Sequence, residues 1–234
     1  QLFVWLPDRK VLFTGDNLYA SFPNIYPIRG ANRDVKDWVE SLERMVALQP
    51  EHVVPGHARP LIGPEAARST LTAYRDGVKH VMDATIEGMN RGLTPDELVA
   101  SIKLPEHLAR HPYLQEVYGN VGFAVRNIFS STLGWFDGNG TRMFAMPDTE
   151  QGPRLARLLG GTDKLLAQGR SALAEGDAQW AAHLADWGLG AQPDSIDFLR
   201  LKADALEAVA ERTLTATARN YLYTYAAQTR SRAE

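Results

Sequence analysis

Two short apolar runs near the start of the chain each end in Gly followed by a residue able to bind a metal: Val11-Leu12-Phe13-Thr14-Gly15-Asp16 and His52-Val53-Val54-Pro55-Gly56-His57. Their β-branched and aromatic content predicts short buried strands, and each Gly lets the backbone turn so that the next side chain stands at the strand end. Residues 1–15 read as a hairpin, with Gln1 to Leu6 alternating toward the polar turn Asp8-Arg9-Lys10. Residues 17–32 carry Pro23, Pro27 and Gly30 with little periodicity, which predicts an ordered loop over the strand ends. From Arg33 to Leu48, Val35, Trp38, Val39, Leu42, Met45 and Val46 recur at helical spacing, with Asp34 and Asp37 in the first turn, where the helix dipole favours them. Strand, helix and strand together make an α/β layer fragment.

After Pro60 the pattern turns helical. Pro64 to Gly92 predicts one long helix ended by the glycine, and Thr94-Pro95-Asp96-Glu97 is a capping box that starts another. A connector from Pro105 to Pro112 precedes a predicted helix from Tyr113 to Leu133, which contains Gly119 and Gly122. The aromatic-rich loop Gly134 to Pro147 predicts packing against some other surface. From Gln151 on, Leu165, Gly169 and Ala172 recur thirty-four positions later as Leu199, Ala203 and Leu206, an offset that resembles tetratricopeptide helix pairs. The last helix carries Tyr221, Tyr223 and Tyr225, a candidate contact between two copies of the chain.

Composition narrows the function classes. The 234 residues carry a net charge of -3, which offers no basic footprint for nucleic acid. No run reaches the roughly eighteen apolar residues needed to span a membrane. Zero cysteines exclude thiolate ligands and disulfides. Residues 1–20 show no basic-then-apolar secretion signal, and the opening in mid-sheet leads us to expect the C-terminal part of a longer protein, so the compartment stays unassigned.

Asp16 and His57 at adjacent strand ends offer a carboxylate and an imidazole, the ligand types that a divalent zinc-type site uses. A Gly-Asp strand end followed by a Gly-His strand end resembles the second-half signature of the metallo-β-lactamase superfamily. Asn17, Phe22-Pro23-Asn24, Ile28-Arg29-Gly30, Arg33-Asp34-Val35, Tyr118-Gly119 and Leu133-Gly134-Trp135-Phe136-Asp137-Gly138-Asn139 narrow the resemblance to the alkylsulfatase (SDS-hydrolase-like) branch.

That resemblance implies an α+β, mostly helical chain. Residues 1–63 would be the C-terminal part of an αββα catalytic domain, and residues 64–234 an all-helical dimerisation domain with repeat-like pairs from about 151. It implies two zinc ions in the intact protein, with Asp16 bridging them and His57 binding the second. Arg29 would hold the sulfate group and act in catalysis, with Asn17, Asn24 and Tyr118 also in the substrate site. The substrate would be an alkyl sulfate cleaved to alcohol and sulfate, and the assembly a homodimer. The family's histidine-rich cluster, His-x-His-x-Asp-His, is absent from this sequence, which predicts that the chain alone binds zinc poorly. Phe123 and Phe136 stand where the family pattern has a histidine and a tyrosine, which leaves open a hydrolase of another ester or a lactone. A non-catalytic helical assembly module is the remaining alternative.

Overall fold

Residues 4–15 form the hairpin that the alternation predicts. Strand β1 (Val4–Leu6) runs antiparallel to β2 (Val11–Gly15) across a 3-10 turn that Lys10 closes with φ 48. The chain is seen here as a computed structural model that describes residues 2–25, 28–31 and 33–234. Gln1, Tyr26, Pro27 and Asn32, which belong to the expected hairpin and to the loop 17–32, lie outside the described residues. Asp34 accepts hydrogen bonds from the backbone N–H groups of Lys36 and Asp37, so it caps helix α1 (Val35–Ala47) rather than lying within its first turn. The helix returns the chain to β3 (His52–Pro55), which lies parallel to β2, and β4 (Leu61–Ile62) adds an antiparallel edge. The sheet order is β1-β2-β3-β4.

The strands are buried on one face only, where full burial was expected. Leu12, Thr14 and Val53 point into the core, while Val4, Leu6, Phe13 and Ile62 are exposed. The pairings Val4↔Phe13, Leu6↔Val11 and His52↔Ile62 put these exposed side chains on one side of the sheet. The physical reason is that the core residues Leu42, Met45, Leu71 and Tyr74 join Leu12 and Val53 from the other side.

Helix α2 (Pro64–Asn90) buries Ala67, Leu71, Tyr74, Val78 and Val81 in that same core. The spacing is that of one apolar helical stripe. The chain accordingly divides into two compact units between Gly138 and Asn139, and the division expected after residue 63 falls inside the first of them. The capping box of Thr94 and Glu97 is formed and starts α3 (Pro95–Ser101); α4 (Glu106–Ala109) and α5 (Val121–Leu133) follow. Helix α5 begins eight residues later than the pattern predicted. Residues 115–119 are instead held by the loop after β2, as the site below shows.

The second unit is α6 (Asp148–Leu159), α7 (Thr162–Ala174), α8 (Ala178–Ala191), α9 (Ile196–Glu211) and α10 (Ala216–Ser231). Its core holds Leu165, Ala172, Leu184, Phe198 and Leu201. Helices α6 and α8 approach backbone to backbone: a Cβ on Gly190 would lie 2.2 Å from the Asp148 carbonyl oxygen, and one on Gly152 would lie 2.3 Å from that of Trp187. The offset of thirty-four holds between the starts of α7 and α9 but becomes thirty-eight between α8 and α10. Arg230 on α10 reaches Asp204 and Glu207 on α9, at 3.0 and 2.7 Å. The loop 134–147 does not pack as expected: Trp135 is 72% and Phe144 92% exposed. Tyr221 and Tyr225 stack at 6.3 Å, while Tyr223 and Tyr225 keep partly open faces. No helix among the described residues is long and apolar enough to cross a membrane.

Candidate functional site

The parallel ladder of β2 and β3 sets the site. Phe13 pairs with Val54, the register shifts, Gly15 pairs with Pro55, and the Gly56 N–H donates to the Gly15 carbonyl at 3.1 Å. Gly15 takes φ 52, a conformation costly for a residue with a Cβ. The two chains therefore leave the sheet side by side, and His57 Nε2 stands 3.0 Å from Asp16 Oδ1. Gly56 makes this approach possible, because a Cβ there would lie 2.8 Å from Asp16 Oδ1.

Residues 17–25 and 115–119 close the other side. Phe22 N–H donates to the Gln115 carbonyl at 2.8 Å, and Gly119 N–H donates to the Phe22 carbonyl at 3.0 Å. The Ser21 hydroxyl donates to the Gln115 carbonyl and accepts from the Tyr118 N–H, both at 3.0 Å. Tyr118 thereby lies edge-on against Tyr19, with ring centroids 5.5 Å apart. The result is a cavity of about 390 Å³ lined by Asp16, Tyr19, Ser21, Arg33, His57 and Tyr118, with Ala20 and Val117.

Of the residues singled out from sequence, Asp16, His57 and Tyr118 meet here. Asn17 and Asn24 do not line this cavity. Asn17 is buried, donating from its amide to the Thr14 carbonyl at 2.9 Å and accepting the Trp38 indole N–H on its own carbonyl at 3.1 Å. Asn24 engages through its backbone, N–H to the Tyr19 phenol at 2.6 Å and carbonyl to Arg33 at 2.8 Å. Both residues are buried in the loop between β2 and α1. Arg29 is exposed and is not among the residues lining the cavity, whereas Arg33 is. Gly30, with φ 125, turns the chain between the two arginines, and the second arrives beside the start of α1. Tyr19, Ser21 and Arg33 escaped the sequence reading as site residues, although Arg33 stood within a quoted motif. Trp135, Phe136 and Phe144 of the aromatic-rich loop are not among the lining residues either.

Asp16 and His57 supply two donors of the right chemistry for a divalent ion, but a closed site needs four or more. Among the described residues, no group of three or more acidic or histidine side chains converges to complete one.

Burial pushes the Tyr19 phenol up to about 12 and raises that of fully buried Tyr74 as well. Both groups keep their protons more tightly in the folded state; for Tyr19 the stabilising contribution is complete below about pH 10 and is lost as pH rises toward about 12. For Tyr19 alone the loss is about 3 kcal/mol. Alkaline titration followed at 295 nm and by circular dichroism should show a late tyrosinate step that coincides with unfolding, and Tyr19→Phe should shrink it.

The alkyl sulfatase dimerisation family matches residues 94–232, and the metallo-beta-lactamase superfamily matches residues 1–57. A linear primary-alkylsulfatase of Pseudomonas sp. (strain ATCC 19151) is 37% identical over 94% of this chain and 42% of its own length. An (R)-specific secondary-alkylsulfatase of Pseudomonas sp. is 33% identical over 97% of this chain and 35% of its own length. The solved structure of the stereoselective inverting sec-alkylsulfatase Pisa1 from Pseudomonas sp. superposes with a TM-score of 0.91 at 33% identity, covering 97% of this chain and 37% of that one. The chain thus spans about two-fifths or less of the relatives it matches. The match of the dimerisation profile over more than half of the residues settles the family: this chain belongs to the alkyl sulfatase dimerisation family.

Proposed function

We propose that this chain is part of a metal-dependent hydrolase that cleaves alkyl sulfate esters to alcohol and sulfate and works as a homodimer. The observation that carries the reading is the convergence of Asp16 and His57, 3.0 Å apart, on a cavity in a chain similar along nearly its whole length to alkylsulfatases. In the longer protein Asp16 and His57 would hold zinc together with ligands from elsewhere, and the bound metal would supply an activated water. This chain's own groups do the rest. Tyr19 and Tyr118 wall the cavity and limit water, Asn17 and Asn24 fix the loop that carries Tyr19, and Arg29 offers the sulfate a planar guanidinium fork from further along the same loop. The exposed apolar face of Val4, Leu6, Phe13 and Ile62 supports a further layer packed on the sheet, as in an αββα sandwich. The partly open tyrosines of α10 are a surface suited to a second copy.

The test has two parts. Zinc titrated calorimetrically into the 234-residue chain should bind weakly or not at all; tight binding of two ions would contradict the assigned division of ligands. The longer protein carrying this chain should release sulfate from alkyl sulfates and lose most of that activity on Arg29→Ala. Hydrolysis of lactones or other esters with no action on sulfates would replace the sulfatase reading.

A further inference from the structure

We infer that Arg33 is a guanidinium that seats the anionic head of the substrate in the Asp16–His57 cavity, a role beyond the set of residues that the resemblance supplied. The inference rests on the reading of an anionic ester as substrate. Arg33 lines that cavity. It forms no ion pair with a carboxylate among the described residues, whereas Arg68, Arg75, Arg110, Arg126 and Arg170 each do.

Its position is built rather than loose. One guanidinium nitrogen donates to the Asn24 carbonyl at 2.8 Å, and the guanidinium carbon stands 5.9 Å from the centre of the Trp38 ring. Trp38 is itself fixed by its indole N–H on the Asn17 carbonyl at 3.1 Å, and Asn17 by Thr14. A chain of contacts therefore runs from β2, which ends at Gly15 next to Asp16, to the cation in the wall of the same cavity. Among the described residues the guanidinium donates this one hydrogen bond out of its five N–H groups, and the other donors suit a tetrahedral oxyanion. The charge also reaches the cavity wall, since it favours the ionised form of the Tyr19 phenol against the larger opposing effect of burial. An anion held here would lie between this cation and the rim that carries Asp16 and His57.

Two measurements test it. In the 234-residue chain, inorganic sulfate titrated against the Arg33 Nε–Hε resonance should give a saturating shift, and Lys36→Gln, a change to the exposed cation three residues on, should leave that shift in place. In the longer protein, Arg33→Gln should raise KM for a linear alkyl sulfate and the inhibition constant of inorganic sulfate together by about tenfold or more, with kcat within about threefold. Arg33→Lys should fall between the two, because it keeps the charge without the fork. Values of KM and the sulfate constant within about twofold of wild type overturn the assignment. A fall in kcat alone also overturns it, because the residue would then act by placing Asp16. If the wild-type protein ignores alkyl sulfates, the proposed function fails while the sulfate titration still decides the role of Arg33. If Arg33→Gln does not fold, Arg33→Lys and the wild-type titration carry the decision.

Discussion

Replacing Gly119 with alanine should destabilise the first unit by about 3 kcal/mol, within the range for forced overpacking and its upper tail. A Cβ at this position would lie 2.1 Å from the Pro23 carbonyl oxygen, 2.3 Å from its carbon and 2.5 Å from the Phe22 carbonyl oxygen. All three are backbone atoms, so no side-chain rotation relieves the contact. The two loops must separate, which stretches the Gly119 to Phe22 hydrogen bond and the Tyr118 to Ser21 bond beside it. Urea unfolding should show a lower midpoint at an unchanged slope. Gly140→Ala, where a Cβ meets nothing within 4 Å, should stay within about 0.5 kcal/mol of wild type. Equal stability of Gly119→Ala and wild type would mean that the loops are not in contact. Because Tyr118 hangs from the same pair of loops, the change should also open the cavity wall.

Gly56→Ala should have a large effect on activity with a small one on stability. The backbone at Gly56 lies outside the left-handed region, so alanine is conformationally acceptable. Its methyl group would nevertheless lie 2.8 Å from Asp16 Oδ1 and 3.2 Å from the Gly15 carbonyl carbon. The carboxylate is the group with freedom to give way, so the Asp16–His57 pair should open while the ladder of β2 and β3 persists. A displacement near 1 Å of a reacting or ligating group costs about a hundredfold in rate. In the longer protein, sulfate release should therefore fall by about that factor, and Asp16→Asn should fall at least as far. In the chain alone, the His57 ring resonances should move on Gly56→Ala with the midpoint of unfolding nearly unchanged. Unmoved His57 resonances would show that the two side chains do not share this space.

Secondary structure near the sheet was legible because each signal there is local. The hairpin, the helix that Asp34 caps, the strand ending before Gly56 and the capping box of Thr94 each depend on residues within a few positions of one another. The misread elements are those in which distant chain overrides local preference. Residues 115–119 lie next to a helix and include good helix formers, yet their backbone groups pair with residues 21 and 22. The apolar strands looked fully buried because Val and Phe have the same pattern whether a second layer covers them or not. Trp135 and Phe144 looked packed by composition, and composition carries no information about what lies opposite them.

The sequence by itself determined the ligand-type residues at both strand ends, the helical second half and the family likeness, because these follow from residue type and short spacing. Only the tertiary structure decided which cation stands in the cavity. Arg29 and Arg33 lie in one loop and share the same chemistry, and nothing local separates them. Arg33 is selected by contacts to Asn24 and Trp38. Trp38 reaches its place because α1 returns the chain to a strand parallel to β2. Likewise, that Asp16 and His57 touch is a property of the register between two strands some forty residues apart, which no side chain at either end specifies alone.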